Sequence, residues 1–192
     1  MAEKQYLSAQ SLLEDSYQLA RNILDSDFKP TFIVAIWRGG APIGIAVQEF
    51  LAVHGIKADH IAIRTSSYAA AIDQQQREVR VHSIKYIVDN IQRDDKLLLV
   101  DDVFDTGRSI EAIIKELKKQ CRLNMAEDVR VAVPYYKPSR NETGRVPDYF
   151  IHETSAWLKY PHSLEGLSHQ EIAQQRPKLY EIIKDFLPEQ GV

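Results

Sequence analysis

Apolar and polar positions along this chain follow two rhythms, one helical and one extended. Leu13, Tyr17, Ala20 and Leu24 recur at helical spacing, and Ser11 with Glu14 fits a capping box, so a helix is expected over about residues 10–25. Residues 31–37 are β-branched and apolar and read as a strand. Arg38-Gly39-Gly40 breaks it, and Pro42 opens a second helix reaching about His54. Residues 58–65 predict the next strand. Residues 66–77 follow as a polar stretch with three glutamines and no amphipathic repeat, and Val79 and Val81, with Ile84 beyond, suggest a strand returning toward it. Leu97-Leu98-Leu99-Val100 is short and wholly apolar, as in a strand buried on both faces, and Ile110, Ile113, Ile114 and Leu117 then mark an amphipathic helix. Residues 128–136 predict another strand. From Ser168 onward, Ile172, Leu179, Ile182, Ile183 and Phe186 predict a terminal helix that Pro177 kinks or splits.

Strands separated by helix-length segments imply an α/β fold: a mostly parallel central sheet flanked by helices, with right-handed crossovers. At 192 residues, with no internal repeat, low-complexity tract or linker, a single domain spanning 1–192 is expected. The formal net charge of −3, spread in mixed signs, provides no footprint for nucleic acid or an anionic membrane. The single cysteine, Cys121, excludes an intrachain disulfide and points to a reducing compartment; its place near the end of a helix suits a buried thiol. The first residues include Glu3, Lys4, Glu14 and Asp15, unlike a signal peptide, and the longest apolar run, residues 32–37, is too short to span a bilayer. A cytoplasmic protein is expected.

The chemistry concentrates where the apolar run at 97–100 ends. Asp101 and Asp102 follow it directly, Asp105 comes three residues later, and Thr106, Gly107, Arg108 and Ser109 lead into the helix. Open α/β sheets bind ligands at this strand-to-helix edge. Residues 106–109 offer successive backbone N–H groups, two hydroxyls, an arginine and a helix start, which together make a phosphate cradle. The two carboxylates before it would repel phosphate but suit vicinal sugar hydroxyls or Mg²⁺. The segment therefore reads as a grip on a sugar phosphate. An ordinary strand-to-helix turn with capping acids is the plain alternative. A phospho-acceptor receiver domain, which shares the Leu-Leu-Leu-Val-Asp-Asp run, would carry it near its N-terminus and without Asp-Thr-Gly.

Asp101, Asp102, Asp105, Thr106, Gly107 and Ser109 resemble the phosphoribosyl-pyrophosphate (PRPP) motif of the type I phosphoribosyltransferases. The resemblance covers nearly the whole chain. It implies the α/β fold of that family with a small hood lobe, built from the N-terminal few residues and about 140–170. Arg38 and Gly39, at the end of the first long strand, resemble the family's pyrophosphate loop, which implies close approach of backbone N–H groups to the anion and a cis non-proline peptide. Ser66-Ser67-Tyr68 resembles the Ser-Tyr pair of the mobile loop in 6-oxopurine enzymes. That implies a lid over 66–78, with Ser67 and Tyr68 against PRPP, excluding water from an oxocarbenium-like centre. A flexible surface loop is the bland reading there.

Downstream, Tyr136-Lys137-Pro138 and Trp157-Leu158 resemble the Tyr-x-Lys-Pro segment and later Trp-Ile pair of bacterial xanthine-guanine phosphoribosyltransferases. By that match Lys137 contacts the purine O6, Trp157 stacks on the ring and the Leu158 backbone reads the C2 side. Relatives carry an acid for a second Mg²⁺ near the position of Ser163. The nearest acid here is Glu165, so that second site is in doubt. The six histidines show no metal-ligand spacing, and no nucleophile elbow accompanies a Ser-His-Asp reading.

The resemblance implies a purine-salvage enzyme that joins hypoxanthine, guanine or xanthine to PRPP with Mg²⁺. Asp105 would be general base, residues 106–109 would hold the 5′-phosphate, and Asp101 and Asp102 the ribose hydroxyls and metal. A homo-oligomer, dimer or tetramer, is expected. The alternatives are a phosphoribosyltransferase for another base and a PRPP-binding regulator of the same fold, which would need a basic groove for nucleic acid.

Overall fold

The computed structural model describes residues 4–69 and 77–188. In chain order its elements begin β1 (Lys4–Tyr6), α1 (Ala9–Asp25), β2 (Phe32–Trp37), α2 (Gly40–Val53), β3 (Asp59–Ala69), β4 (Arg77–His82) and α3 (Lys85–Asn90). They continue with β5 (Lys96–Val100), β6 (Val103–Phe104), α4 (Arg108–Cys121), β7 (Asp128–Tyr136), β8 (Tyr149–Glu153), β9 (Trp157–Lys159), α5 (His169–Gln175) and α6 (Pro177–Ile183). Two compact units result: the described residues up to Ala9 with those from Ala156 onward, and residues 10–155.

The larger unit is an α/β sheet of seven strands, ordered β4-β3-β2-β5-β7-β6, with β8 along the remaining edge of β7. Every pairing in it is parallel except β3 with β4. Leu97, Leu98, Leu99 and Val100 are fully buried, as a strand apolar on both faces requires. Val34, Leu97, Leu99, Val131 and Val133 pack with Ile110, Ile113, Ile114 and Leu117 of α4 in one core. On the opposite face α2 lies against β2, so close that a Cβ on Gly44 would sit 2.7 Å from the Ala35 Cβ. Cys121 closes α4 as a buried thiol, and burial raises its pKa. Among the described residues no helix is long and apolar enough to cross a membrane.

The differences from the sequence reading each have a physical cause. Helix α1 begins at Ala9, which places Ser11 inside the first turn rather than at the cap. Its buried stripe is Leu12, Ser16, Leu19, Ala20 and Ile23, while Leu13 and Tyr17 are exposed. Ser16 disguised that stripe; its hydroxyl donates to the Leu12 carbonyl at 2.6 Å and can therefore be buried. Strand β3 runs on to Ala69 because β4 pairs with it from Ala69 back to Arg64, so Ser66, Ser67 and Tyr68 belong to a hairpin. The expected lid over 66–78 therefore begins in a strand, and its central residues 70–76 lie outside the described residues. Ile84 is not a strand residue but the buried N-cap of the short helix α3.

In the smaller unit, β1 and β9 pair in parallel, Lys4 with Trp157, Gln5 with Leu158 and Tyr6 with Lys159. Pro177 splits the terminal helix outright: α5 ends at Gln175 and α6 starts at the proline, whose missing N–H is tolerated at a first helical position. A capping box, Ser168 with Glu171, starts α5. Ile172 is buried, Leu179 and Ile183 are half-buried, and Ile182 and Phe186 are exposed, so the terminal pattern supplies one fully buried residue rather than a continuous stripe.

Candidate active site

The strands β2 and β5 are neighbours, which brings their C-terminal loops together. The loop after β2 passes through a cis Trp37–Arg38 peptide to Gly39 and the start of α2 at Gly40, two residues before Pro42. Gly39 has φ −64° and ψ −37°, a conformation open to any residue. Its requirement is closeness: a Cβ there would lie 2.0 Å from Asp102 Oδ2, and one on Gly40 2.4 Å from the Val100 carbonyl oxygen. The glycine pair therefore lets the backbone of one loop press against the Asp102 carboxylate and the Val100–Asp101 backbone of the other.

Asp101 and Asp102 leave β5 together. The Asp101 N–H donates to the Ala132 carbonyl at 3.2 Å, and Asp101 Oδ1 accepts from the Asp102 N–H at 3.0 Å. Burial lifts the Asp101 pKa well above its ordinary 3.8, and the charge of Asp102 adds to that rise. Burial pushes Asp102 up to about 6. A carboxylate pair that resists carrying two charges is relieved by a hard cation or by hydroxyl donors, so the donor chemistry fits Mg²⁺ bound through one or two carboxylates. Among the described residues no cluster of three or more His, Cys, Asp or Glu side chains forms a metal cage.

The two-residue strand β6 separates these acids from the turn and pairs with the end of β7, Val103 with Tyr135 and Phe104 with Tyr136. That register decides the site's centre. The Lys137 N–H donates to the Phe104 carbonyl at 2.9 Å, and Lys137 Nζ, on a side chain nearly buried, lies 3.4 Å from Asp105 Oδ2. Gly107 follows with φ 80°, left-handed, and a Cβ there would meet Thr143 Oγ1 at 2.5 Å and the Phe104 ring at 2.7 Å. The turn then opens α4, whose 14 residues direct their N-terminal dipole at the loop. Thr106 Oγ1 accepts from the Arg108 N–H at 3.4 Å, a weak contact. Arg108, expected at the phosphate, is ion-paired with Glu142 at 2.5 Å.

The other residues singled out in the sequence are placed as follows. The backbones of Ser67 and Tyr68 lie in β3 opposite Val79 and Glu78. Lys137 belongs to the larger unit; Trp157 and Leu158 belong to the smaller one. The Trp157 side chain is 58% exposed, and the buried Lys159 places Nζ 5.2 Å from its ring centroid. A cavity of about 440 Å³ beside it is lined by Lys4, Trp157, Leu158, Lys159, Ser163 and Glu165, among others. Lys159 Nζ donates to the carbonyls of Glu165 at 3.0 Å and Gly166 at 3.4 Å, which ties that loop to β9.

Sequence reasoning passed over residues 140–143. Arg140 lies 2.6 Å from Asp105 Oδ1, the Glu142 N–H donates to the Thr106 carbonyl at 3.0 Å, and Thr143 abuts Gly107. The available signal was a second cation three residues after Lys137, but its meaning depends on the pairing of β6 with β7.

A family model for the phosphoribosyl transferase domain matches residues 2–171. Among solved structures, a purine phosphoribosyltransferase from Pyrococcus horikoshii is similar with TM-score 0.64 and 24% identity, over 83% of this chain and 93% of that one. A Neisseria gonorrhoeae hypothetical protein with bound ppGpp is similar with TM-score 0.72 and 23% identity, over 95% and 98%. A Helicobacter pylori xanthine-guanine-hypoxanthine phosphoribosyltransferase is similar with TM-score 0.61 and 19% identity, over 93% and 99%. At these identities the structural likeness establishes the fold. No curated protein matches the sequence.

Proposed function

The chain belongs to the phosphoribosyltransferase family, and from that membership we propose that it transfers the phosphoribosyl group of PRPP to a 6-oxopurine. The products are the nucleoside 5′-monophosphate and pyrophosphate, as in purine salvage. The observation that carries this reading is the pairing of Asp105 with the nearly buried Lys137 at 3.4 Å, directly before the glycine turn.

A bound purine would be read by that pair. The Lys137 ammonium donates to the C6 oxygen, and the Asp105 carboxylate accepts the N7 proton as N9 bonds to the anomeric carbon and the bond to pyrophosphate breaks. Residues 106–109 and the start of α4 hold the 5′-phosphate through backbone N–H groups. Asp101 and Asp102 hold the ribose hydroxyls, and Arg38 and Gly39 line the pyrophosphate subsite. Mg²⁺, held by Asp102 and Asp101 together with PRPP, would neutralise pyrophosphate charge. Ser67 and Tyr68 are assigned to PRPP, Trp157 to stacking on the base and the Leu158 backbone to its C2 side; these three assignments rest on the sequence resemblance, which Glu165, two residues beyond the relatives' second-metal position, does not match.

A second occupant is suggested by the ppGpp bound to the Neisseria protein. A guanosine polyphosphate offers the same chemical groups, a 6-oxopurine and clustered phosphates, so we infer that such nucleotides compete with substrate at this site. The formal charge of −3 supports neither a nucleic-acid-binding regulator nor a basic groove.

The test is a spectrophotometric assay of PRPP, with Mg²⁺, against each base in turn. Turnover with at least one of hypoxanthine, guanine and xanthine is expected. Absence of turnover with all three overturns the proposal.

A further inference from the structure

Asp105 meets two cations of different kinds. Its Oδ2 faces Lys137 Nζ at 3.4 Å, and its Oδ1 faces Arg140 Nε at 2.6 Å. The lysine side chain is 8% exposed, the arginine 57% and the carboxylate 33%. The arginine contact is short but poorly directed: Oδ1 is buried and accepts no hydrogen bond of acceptable geometry. Arg140 is delivered by the single turn of 3₁₀ helix Pro138–Arg140, where its N–H donates to the Lys137 carbonyl at 3.1 Å. One acceptor of the carboxylate is thus committed to a buried ammonium. The other is covered by a solvent-facing guanidinium that satisfies its charge and leaves its lone pairs unused.

We propose that Arg140 is a positioning residue that occupies Asp105 Oδ1 until the ring N–H of the incoming purine displaces it. The inference rests on the proposed reading of Asp105 as the partner of N7. The asymmetry decides which cation yields. Parting Asp105 from Lys137 would strand a nearly buried ammonium, which is costly, whereas a poorly directed contact to a largely exposed guanidinium holds weakly. A ring N–H directed at Oδ1 supplies the hydrogen bond that the guanidinium does not make. Arg140 therefore competes with the base and not with PRPP, and it keeps the carboxylate aimed in the empty site.

Steady-state kinetics on the intact chain test this with wild type, Arg140→Ala, Arg140→Met, which retains the aliphatic stem, and Arg140→Lys, which retains the charge. The two neutral variants should lower KM for the purine about two- to fivefold, the range set by an exposed ion pair, and leave KM for PRPP unchanged. Arg140→Lys should restore the purine KM toward the wild-type value. A merely structural arginine gives the opposite pattern, with purine KM unchanged or raised, or both KM values moving together, and either result overturns the assignment. If Arg140→Ala fails to fold, Arg140→Met decides. If wild type turns over no purine, the proposed function fails first, and that outcome is distinct from turnover with an unaltered KM in the variants.

Discussion

The turn after β5 and the residues assigned to the base are built on different plans. From Val100 to the start of α4, one contiguous segment delivers Asp101, Asp102, Asp105 and the glycine turn, and neighbouring β2 adds Gly39. The base assignments are scattered: Lys137 follows β7, just before the turn that carries Arg140, and Trp157 and Leu158 sit on β9 of the smaller unit. A contiguous site has its spacing set by covalent geometry and one strand-to-helix transition. Residues brought together by strand register, as Lys137 and Arg140 are against Asp105, leave no local trace of that proximity in the sequence. Substitutions in the two regions should therefore separate PRPP effects from base effects.

Asp105 is where the plans meet, and its loss should be the most damaging. General base catalysis contributes about 10²–10⁴-fold, so Asp105→Asn should lower kcat by that order while the KM for PRPP stays near wild type. A kcat close to wild type would remove Asp105 from the chemistry and dissolve the link between the regions.

Lys137 sharpens the base side. It donates and cannot accept, so it suits an oxygen at C6 and opposes the amino group of adenine. Adenine should be a poorer substrate than the best oxopurine by roughly 10³-fold or more, a discrimination typical of sites built around a required hydrogen bond. Adenine as the best substrate would overturn the Lys137 assignment and leave the PRPP turn untouched.

A paired experiment then compares the plans directly. Gly39→Ala forces a Cβ into the space of Asp102 Oδ2, at 2.0 Å, and should cost about 10²-fold in kcat/KM for PRPP through displaced carboxylates. Trp157→Ala should raise the purine KM by about tenfold, the low end of a lost stacking contact, and spare PRPP. If both variants damaged both substrates equally, the division would be wrong.

The smallest expected effect lies in the smaller unit. Glu171 accepts from Lys4 and, at 2.8 Å, from the Tyr6 hydroxyl, and it closes the α5 capping box. The Lys4 hydrogen bond leads the interactions that draw its pKa from 4.5 down to about 2. A depressed carboxylate pKa stabilises the folded state fully above the unfolded value and loses that contribution as pH falls through the folded one. Glu171→Gln should therefore melt slightly below wild type at pH 7, with the gap closing between about pH 4.5 and pH 2 in thermal melts. A gap independent of pH would assign the difference to packing rather than charge.

By itself the sequence determined the α/β class, the strands β2, β3, β4, β5 and β7, and the buried strand and amphipathic helix on either side of the acidic turn, because each depends on periodicity or on residues close in the chain. Burial of 97–100 and the amphipathic repeat of α4 are both local consequences. Only the tertiary structure decided the buried stripe of α1, where a satisfied Ser16 hid the pattern, and the strand role of residues 66–69, which β4 imposes by pairing. It also decided that Gly39 is required for close approach to Asp102 and that Arg140 lies against Asp105. Those facts follow from which strands are neighbours and in what register, and register is fixed by the packing of the whole sheet rather than by any short stretch of residues.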